Sequence, residues 1–514
     1  MYVRTQLRRG AQYFGNDVAV VHRDCKLTFS EAWARGLRLA NGLIEFGLCP
    51  GDRIATLENN SIKAVDSLLA TAIGNFVRVP LYARNRRDAH AQMIRNTNCR
   101  LVLVDTDLAE ELRGLESDIE CLDRIVLRDA NYEPWLASLP EHDPDPVISH
   151  DDYHIIRHTG GTTGKPKGVA YRHHAWMTIC AAFFSVGPRV ERGDAVLHVG
   201  PLSHASGFMF LPAWHVGARN VMMDAFDPEA FLRIIADEGI THAFVAPTML
   251  NAVINHRASF GRTFPRLKML LSASAPVSEN TIRKSCEVFG ANVMHSAYGQ
   301  TEILPIAGMG PREWFGQITG STPIRSVGRP LPGADIEIRD EQNRTVEAGA
   351  SGEIVARFDH AQMEGFWNDP EETRERVVDG WVRTGDLGTI DANGFLYLLD
   401  RKTDMIVSGG FNIYPNEIEN VIAGHPEVME VAVFGVPHPK WGETPIAVVR
   451  TRPDSNLTAA EVIGMVSGSL GSVNKPADVV FTHDPLPLSN VGKVLRSQLR
   501  EPYWRENGSR VGGA

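Results

Sequence analysis

Thr159-Gly160-Gly161-Thr162-Thr163-Gly164-Lys165-Pro166-Lys167-Gly168 follows directly on a strand-like run at residues 153–157. Its glycines let the backbone turn with N–H groups exposed, and the threonine hydroxyls and two lysines add donors, a combination suited to a polyphosphate. The spacing is not that of the Walker A loop. Three residues separate Gly160 from Gly164, and Pro166 stands where Ser or Thr should follow the lysine. Outward from this loop, helical and strand periods alternate over nearly the whole chain, the mark of α/β layers. Residues 53–57 and 100–104 read as buried strands and 62–73 as a helix. Residues 31–46 read as a helix capped by Ser30 and ending at Gly47. The Pro- and Asp-rich stretch 129–151 reads as a loop. A second α/β stretch covers about 194–319, with a helix at 228–238 and strands at 241–246 and 267–272. Short alternating strands with Gly turns follow at 334–339, 352–357 and 394–399, resembling a small β-barrel or meander. After Asp400 the pattern resets to helix 417–423, strand 428–436, helix 459–470 and strand 479–481. The fold class is therefore α/β. A large N-terminal domain, 1–401, holds layered α/β subdomains and the β-barrel-like part, and a small α+β C-terminal domain spans 402–514. The Gly-rich residues 506–514 are expected to fray.

The 514 residues exceed one core, at a prior of about 150 per domain. With 43% hydrophobic and 22% charged residues, disorder and coiled coil are excluded. The net charge of −10 argues against nucleic-acid binding and means that any anionic ligand needs a local cradle. No apolar run is long enough to span a membrane, and no secretory signal is visible. Cys25, Cys49, Cys99, Cys121, Cys180 and Cys286 form no CxxC pair, which suits a reduced, cytoplasmic protein. The spacing of His158, His173, His174, His204 and His295 matches no zinc template.

The Thr159–Gly168 stretch resembles the phosphate loop of the acyl-adenylate-forming superfamily, which includes acyl-CoA synthetases, luciferases and peptide-synthetase adenylation domains. Further matches follow in the family's order. They are Pro201-Leu202-Ser203-His204, Ser272-Ala273-Ser274-Ala275-Pro276, Tyr298-Gly299-Gln300-Thr301-Glu302 and Trp381-Val382-Arg383-Thr384-Gly385-Asp386. Then come Asp400-Arg401, Ser408-Gly409-Gly410-Phe411-Asn412 and Pro487-Leu488-Ser489-Asn490-Val491-Gly492-Lys493. The resemblance covers nearly the whole chain. It implies an ATP-dependent acid–CoA ligase that makes an acyl-AMP and then an acyl-CoA, with ATP, Mg²⁺ and CoA as its cofactors and co-substrates.

The first step presses a carboxylate against the α-phosphate of ATP, so fixed donors and cations must neutralise developing charge. The resemblance makes Lys493 the adenylating lysine, Thr301 a donor to the α-phosphate and Glu302 the Mg²⁺ ligand. Thr159, Gly160, Gly161, Thr162, Thr163, Gly164 and Lys167 would cradle the phosphates. Ser274, Ala275, Pro276, Tyr298 and Gly299 would flank adenine, and Asp386 with Arg401 would hold the ribose. In the second step the small domain would be mobile, rotating about Thr403. Gly409, Gly410 and Trp441 would then meet CoA, with Lys475 near its phosphates. Three residues depart from the family pattern: His158 replaces a common Tyr, Gly160 a frequent Ser, and Thr403 a frequent Asp or Lys.

The acyl pocket is expected from segments at 204–208, 244–250, 272–274 and 297–299, with His204, Phe208, Ala246 and Ala273 as wall residues. Phe226-Asp227-Pro228-Glu229 stands where amino-acid-activating relatives have Phe-Asp-x-Ser, so a non-amino carboxylic acid is expected, with room for a bulky group. Two alternatives remain: an acyl-AMP ligase serving a carrier protein or another enzyme, and a non-catalytic acyl-nucleotide binder. The oligomeric state stays open, a dimer being compatible.

Overall fold

Two sheets, parallel in their interiors, organise the first part of the chain. The computed structural model describes residues 2–159, 166–488 and 494–505. The six-stranded sheet runs Arg124–Arg128, Leu101–Asp105, Arg53–Leu57, Val77–Pro80, Tyr153–His158 and Gly168–Arg172. Only its last pair, which flanks the glycine-rich loop, is antiparallel. The nine-stranded sheet is parallel from Val18–His22 through Arg219–Met222, Ala195–His198, His242–Val245 and Met269–Ser272 to Met294–Gln300. Antiparallel strands, Ile303–Met309 and Arg329–Pro330 on one side and Cys25–Thr28 on the other, close its edges. Fully buried runs such as Leu101-Val102-Leu103-Val104 fit strands covered on both faces.

The short strands foreseen after residue 326 form a five-stranded antiparallel sheet whose long member is Trp381–Ile390. A further five-stranded sheet, drawn from residues 406–482, packs against helices Pro415–Ala423 and Ala459–Leu470 around Ile406, Ile418, Val433 and Val449. The larger N-terminal part and smaller C-terminal part thus follow the expected α/β class. No helix among the described residues is long and apolar enough to cross a membrane.

Two local readings need correction, and one helix is not foreseen in the sequence. The helix Phe29–Glu45 is capped by Thr28 rather than Ser30. Thr28 Oγ1 accepts from Glu31 N at 3.2 Å, and Glu31 reaches back to Thr28 N at 2.8 Å, a T-x-x-E capping box. The stretch 129–151 contains the helix Tyr132–Ser138, because Tyr132 and Leu136 bury one face and Trp135 stacks on Phe46. The helix Arg496–Arg505 has no clear sequence signature because Pro502 lies within it. Trp504 Nε1 donates to the Gly435 carbonyl at 3.1 Å and secures it.

Helices Phe29–Glu45 and Ile62–Ile73 approach so closely that a Cβ on Gly36 would lie 2.7 Å from the Leu69 Cβ. Replacing the cap, Thr28→Ala, is expected to lower stability by about 1 kcal/mol, read as an earlier midpoint in urea with an unchanged slope.

Candidate active site

Parallel strands aim their carboxyl ends, and the loops that follow them, toward one side of a sheet, which is where α/β folds bind ligands. Here the ends of both sheets meet. Asn60, just after Arg53–Leu57, places its Nδ2 2.9–3.2 Å from the carbonyls of His198, Gly200 and Met223, while its Oδ1 accepts from Leu202 N at 2.8 Å. That fixes the Pro201–His204 turn beside the end of Tyr153–His158. Arg157 then donates to the Ser203 carbonyl at 2.9 Å, and the Tyr82 hydroxyl donates to the His158 carbonyl.

Tyr298-Gly299-Gln300-Thr301-Glu302 occupies the tight antiparallel connection between Met294–Gln300 and Ile303–Met309. Tyr298 donates to Asp386 at 2.8 Å, and Gln300 Nε2 donates to Asp386 at 2.7 Å and to the Thr384 carbonyl at 2.8 Å. Burial, then the Asp386 charge, keep the Tyr298 phenol protonated as a donor. Across the adjoining ladder Asp386 pairs with Arg401, whose Nε lies 3.6 Å from the carboxylate. Predicted residues of three strands are thus gathered: Tyr298 with its neighbour Gly299, Asp386 and Arg401. Glu302 is 5% exposed, with Arg376 3.3 Å from its Oε1. The Thr301 carbonyl accepts from the Tyr171 hydroxyl. Ser274 adopts φ 77°, a left-handed conformation uncommon for a residue with a side chain and a mark of local strain.

Of the glycine-rich loop, Thr159 and Lys167 lie within the described residues. Thr159 N donates to the Lys167 carbonyl at 2.9 Å, closing the loop's base, and Lys167 Nζ pairs with Glu372 at 2.5 Å. Gly160, Gly161, Thr162, Thr163 and Gly164 lie outside the described residues, as does Lys493.

The expected acyl-pocket residues fall in two groups. Ala273, with Ala205 and Ala297, packs beside a cluster of Val186, Met209, Phe244, Leu271 and Leu331, giving an apolar wall with small side chains. Phe208 is buried deeper, stacked on Phe183 at 5.6 Å and against Trp176 at 4.8 Å. Ala246 is buried at the turn from His242–Val245 into Pro247–Ile254. His204 lies on Tyr82 at 4.0 Å between ring centroids. Burial, then Arg157 and Arg84, push its pKa down to about 3, so the ring is neutral at working pH. His158 is likewise pushed to about 3 by burial, and neither of its ring nitrogens has a hydrogen-bond partner among the described residues.

Gly409 and Trp441 meet each other: Gly409 N donates to the Trp441 carbonyl at 2.8 Å. A Cβ on Gly409, at φ 57°, would lie 2.7 Å from the indole, so only glycine fits. Gly410, next in the chain, is exposed; Lys475 is exposed too, and no contact joins it to them among the described residues. Thr403 lies between Arg401, whose carbonyl accepts from Asp404 N at 3.0 Å, and the second five-stranded sheet.

Gln300, Arg376, Tyr82 and Arg157 joined this constellation without having been singled out. Gln300 stood in the motif's variable position. Arg376 belongs to the charged run 371–376, which reads as a solvated helix. Arg157 sits in a strand whose burial suggests apolar residues.

Two family models match the chain: "AMP-binding enzyme" over residues 7–367 and "AMP-binding enzyme C-terminal domain" over 417–493. The chain belongs to this family of AMP-binding enzymes. It is 32% identical over 497 residues to a feruloyl-CoA synthase of Amycolatopsis sp, covering 96% of this chain and 98% of the relative. It is 30% identical over 508 residues to the fatty acid–[acyl-carrier-protein] ligase ScoC of Streptomyces coeruleorubidus, covering 98% and 96%. ATP-bound MatB from Rhodopseudomonas palustris superposes with a TM-score of 0.88 at 26% identity, covering 98% of this chain and 99% of that one. Apo MatB superposes at 0.77 with the same coverage and identity.

Because the His204 ring is neutral far above its pKa, its imidazole NMR signals are expected to stay flat through the neutral range. A titration step near neutrality would contradict the burial described.

Proposed function

We propose that the chain is an ATP- and Mg²⁺-dependent acid–CoA ligase. A non-amino carboxylate attacks the α-phosphate of ATP to give acyl-AMP and pyrophosphate; the CoA thiol then attacks the acyl carbon, giving acyl-CoA and AMP. The observation that carries this reading is the joining of Tyr298, Gln300 and Asp386 with Arg401 beside Glu302 and Arg376, at the carboxyl end of a parallel strand. A carboxylate already oriented by two donors is preorganised to accept a ribose hydroxyl, and an aromatic ring fixed by its own hydroxyl offers a rigid face to a base.

The domain division at 401/402, the hinge at Thr403, the pantetheine path past Gly409, Gly410 and Trp441, and the phosphate cradle at 159–167 belong to this proposal. So does Lys493, a compact cation that would bridge carboxylate and phosphate oxygens. Glu302 suits Mg²⁺: it is a single buried carboxylate, and no group of three or more His, Cys, Asp or Glu able to hold a metal gathers among the described residues. That donor set fits a hard cation arriving on phosphate oxygens, whose charge it would offset when bound. Six free cysteines support a reducing, cytoplasmic setting.

The alanine-lined wall suits an aromatic or medium-length aliphatic acid. The alternative, transfer to a carrier protein instead of CoA, has one such relative in ScoC and is not favoured beside the acid–CoA ligases. Pyrophosphate release, measured with hydroxycinnamic, phenylacetic and medium-chain acids in the presence of CoA, tests both. Thioester formed with CoA supports the ligase, pyrophosphate without thioester supports the carrier reading, and no pyrophosphate with any acid overturns both.

Lys493→Ala is expected to abolish pyrophosphate release while sparing thioester formation from supplied acyl-AMP; equal loss of both would remove its assignment. Asp386→Ala should raise KM for ATP about tenfold, as loss of a charged hydrogen-bond acceptor implies, with KM for the acid little changed.

A further inference from the structure

Arg496 is the hub of a partly buried charge network at the junction of the chain's two parts. Its Nε and Nη2 grip Glu419 at 2.9 and 2.7 Å, Nη2 also donates to Asn416 at 2.7 Å, and Nη1 reaches Asp404 at 3.3 Å. All of these follow Thr403. One further partner precedes it: Asp400, 3% exposed, with Oδ1 3.6 Å from Arg496 Nη1.

Asp400 is the penultimate residue of Leu396–Arg401, the strand that presents Arg401 to Asp386. Its other oxygen accepts from Asn416 N at 2.9 Å, and Asn416 Nδ2 donates to the Leu399 carbonyl at 3.1 Å. One carboxylate therefore binds the strand of the ribose arginine both to the start of helix Pro415–Ala423 and to the C-terminal segment.

That segment is itself fixed at its base. Leu488 and Val494 form an antiparallel bridge, and Leu495 N donates to the Pro487 carbonyl at 2.8 Å. Arg496 follows directly. Over the whole chain ATP-bound MatB superposes with a higher TM-score, 0.88, than apo MatB, 0.77, at equal identity and coverage.

We propose that Arg496 is a positioning residue for the adenylation step: through its ion pair with Asp400 it holds the C-terminal segment in register with the strand carrying Arg401. The proposal rests on the ligase reading above. Rotation about Thr403 would part Asp400 from Asn416 and Arg496, so the same pair opposes the change to the thioester-forming arrangement. A partly buried pair of this kind couples its partners strongly, because either charge left alone is poorly solvated.

The test separates the two half-reactions in the full chain. Asp400→Asn keeps the shape and an acceptor for Asn416 N, but removes the charge facing Arg496. Pyrophosphate release with the hydroxycinnamic or medium-chain acid of highest turnover is expected to fall about tenfold. Thioester formation from that acid's preformed acyl-AMP and CoA should be unchanged or faster. Arg496→Lys, which keeps a cation against Glu419 and Asp404 without the planar fork, should show the same split and carries the comparison if Asp400→Asn does not fold. Equal loss in both half-reactions, loss confined to the thioester step, or no loss in either overturns the proposal while leaving the ligase reading intact. A wild-type chain that releases no pyrophosphate with any acid overturns the ligase reading itself, and this proposal with it.

Discussion

The site depends first on one buried amide. Asn60 ties the loop after a strand of the six-stranded sheet to three carbonyls at the ends of strands in the nine-stranded sheet, and receives Leu202 N in return. Without it those carbonyls would be buried with fewer donors, at roughly 1–3 kcal/mol for each left unsatisfied. More important is direction. The stitch makes two independently wound sheets present their carboxyl ends to a common space, so Tyr82 from one can pack on His204 from the other. The Tyr82–His204 contact proposed for the acyl side depends on that juxtaposition.

The nucleotide side is placed by a different constraint. Asp386 and Arg401 face each other across one ladder of an antiparallel sheet, and Tyr298 with Gln300 reaches that ladder from the nine-stranded sheet. A chain with net charge −10 repels anions at long range. The proposed chemistry must therefore be done by local cations held within rigid surroundings: Arg401 beside Asp386, Arg376 beside Glu302 and Arg157 under the Pro201–His204 turn.

Fold class was readable because hydrophobic periodicity is a local property. Helices Ile62–Ile73 and Ala459–Leu470 and strands Arg53–Leu57 and Ala334–Arg339 stand at the residues their spacing implies. Helix Tyr132–Ser138 was not readable, since Pro and Asp around it outweigh two buried side chains whose partners lie far off in sequence. The site divided in the same way. Asp386 and Tyr298 could be named from short motifs, but their hydrogen bond, and the entry of Gln300 into it, are facts of the tertiary packing. Arg376, Arg157 and Asn60 carry no local signature at all. A charged residue in a charged helix, an arginine in a buried strand and an asparagine before a helix each have commonplace uses, and only the partner across the fold distinguishes them.

Arg157 shows what such a placement entails. It is 4% exposed, gives one hydrogen bond to a carbonyl, lies 4.4 Å from the Phe208 ring centroid, and leaves Nε and Nη1 without hydrogen-bond partners among the described residues. A cation kept dry in this way makes the protein less stable than its packing alone would allow. An opposite charge brought near such a guanidinium would offset part of that cost.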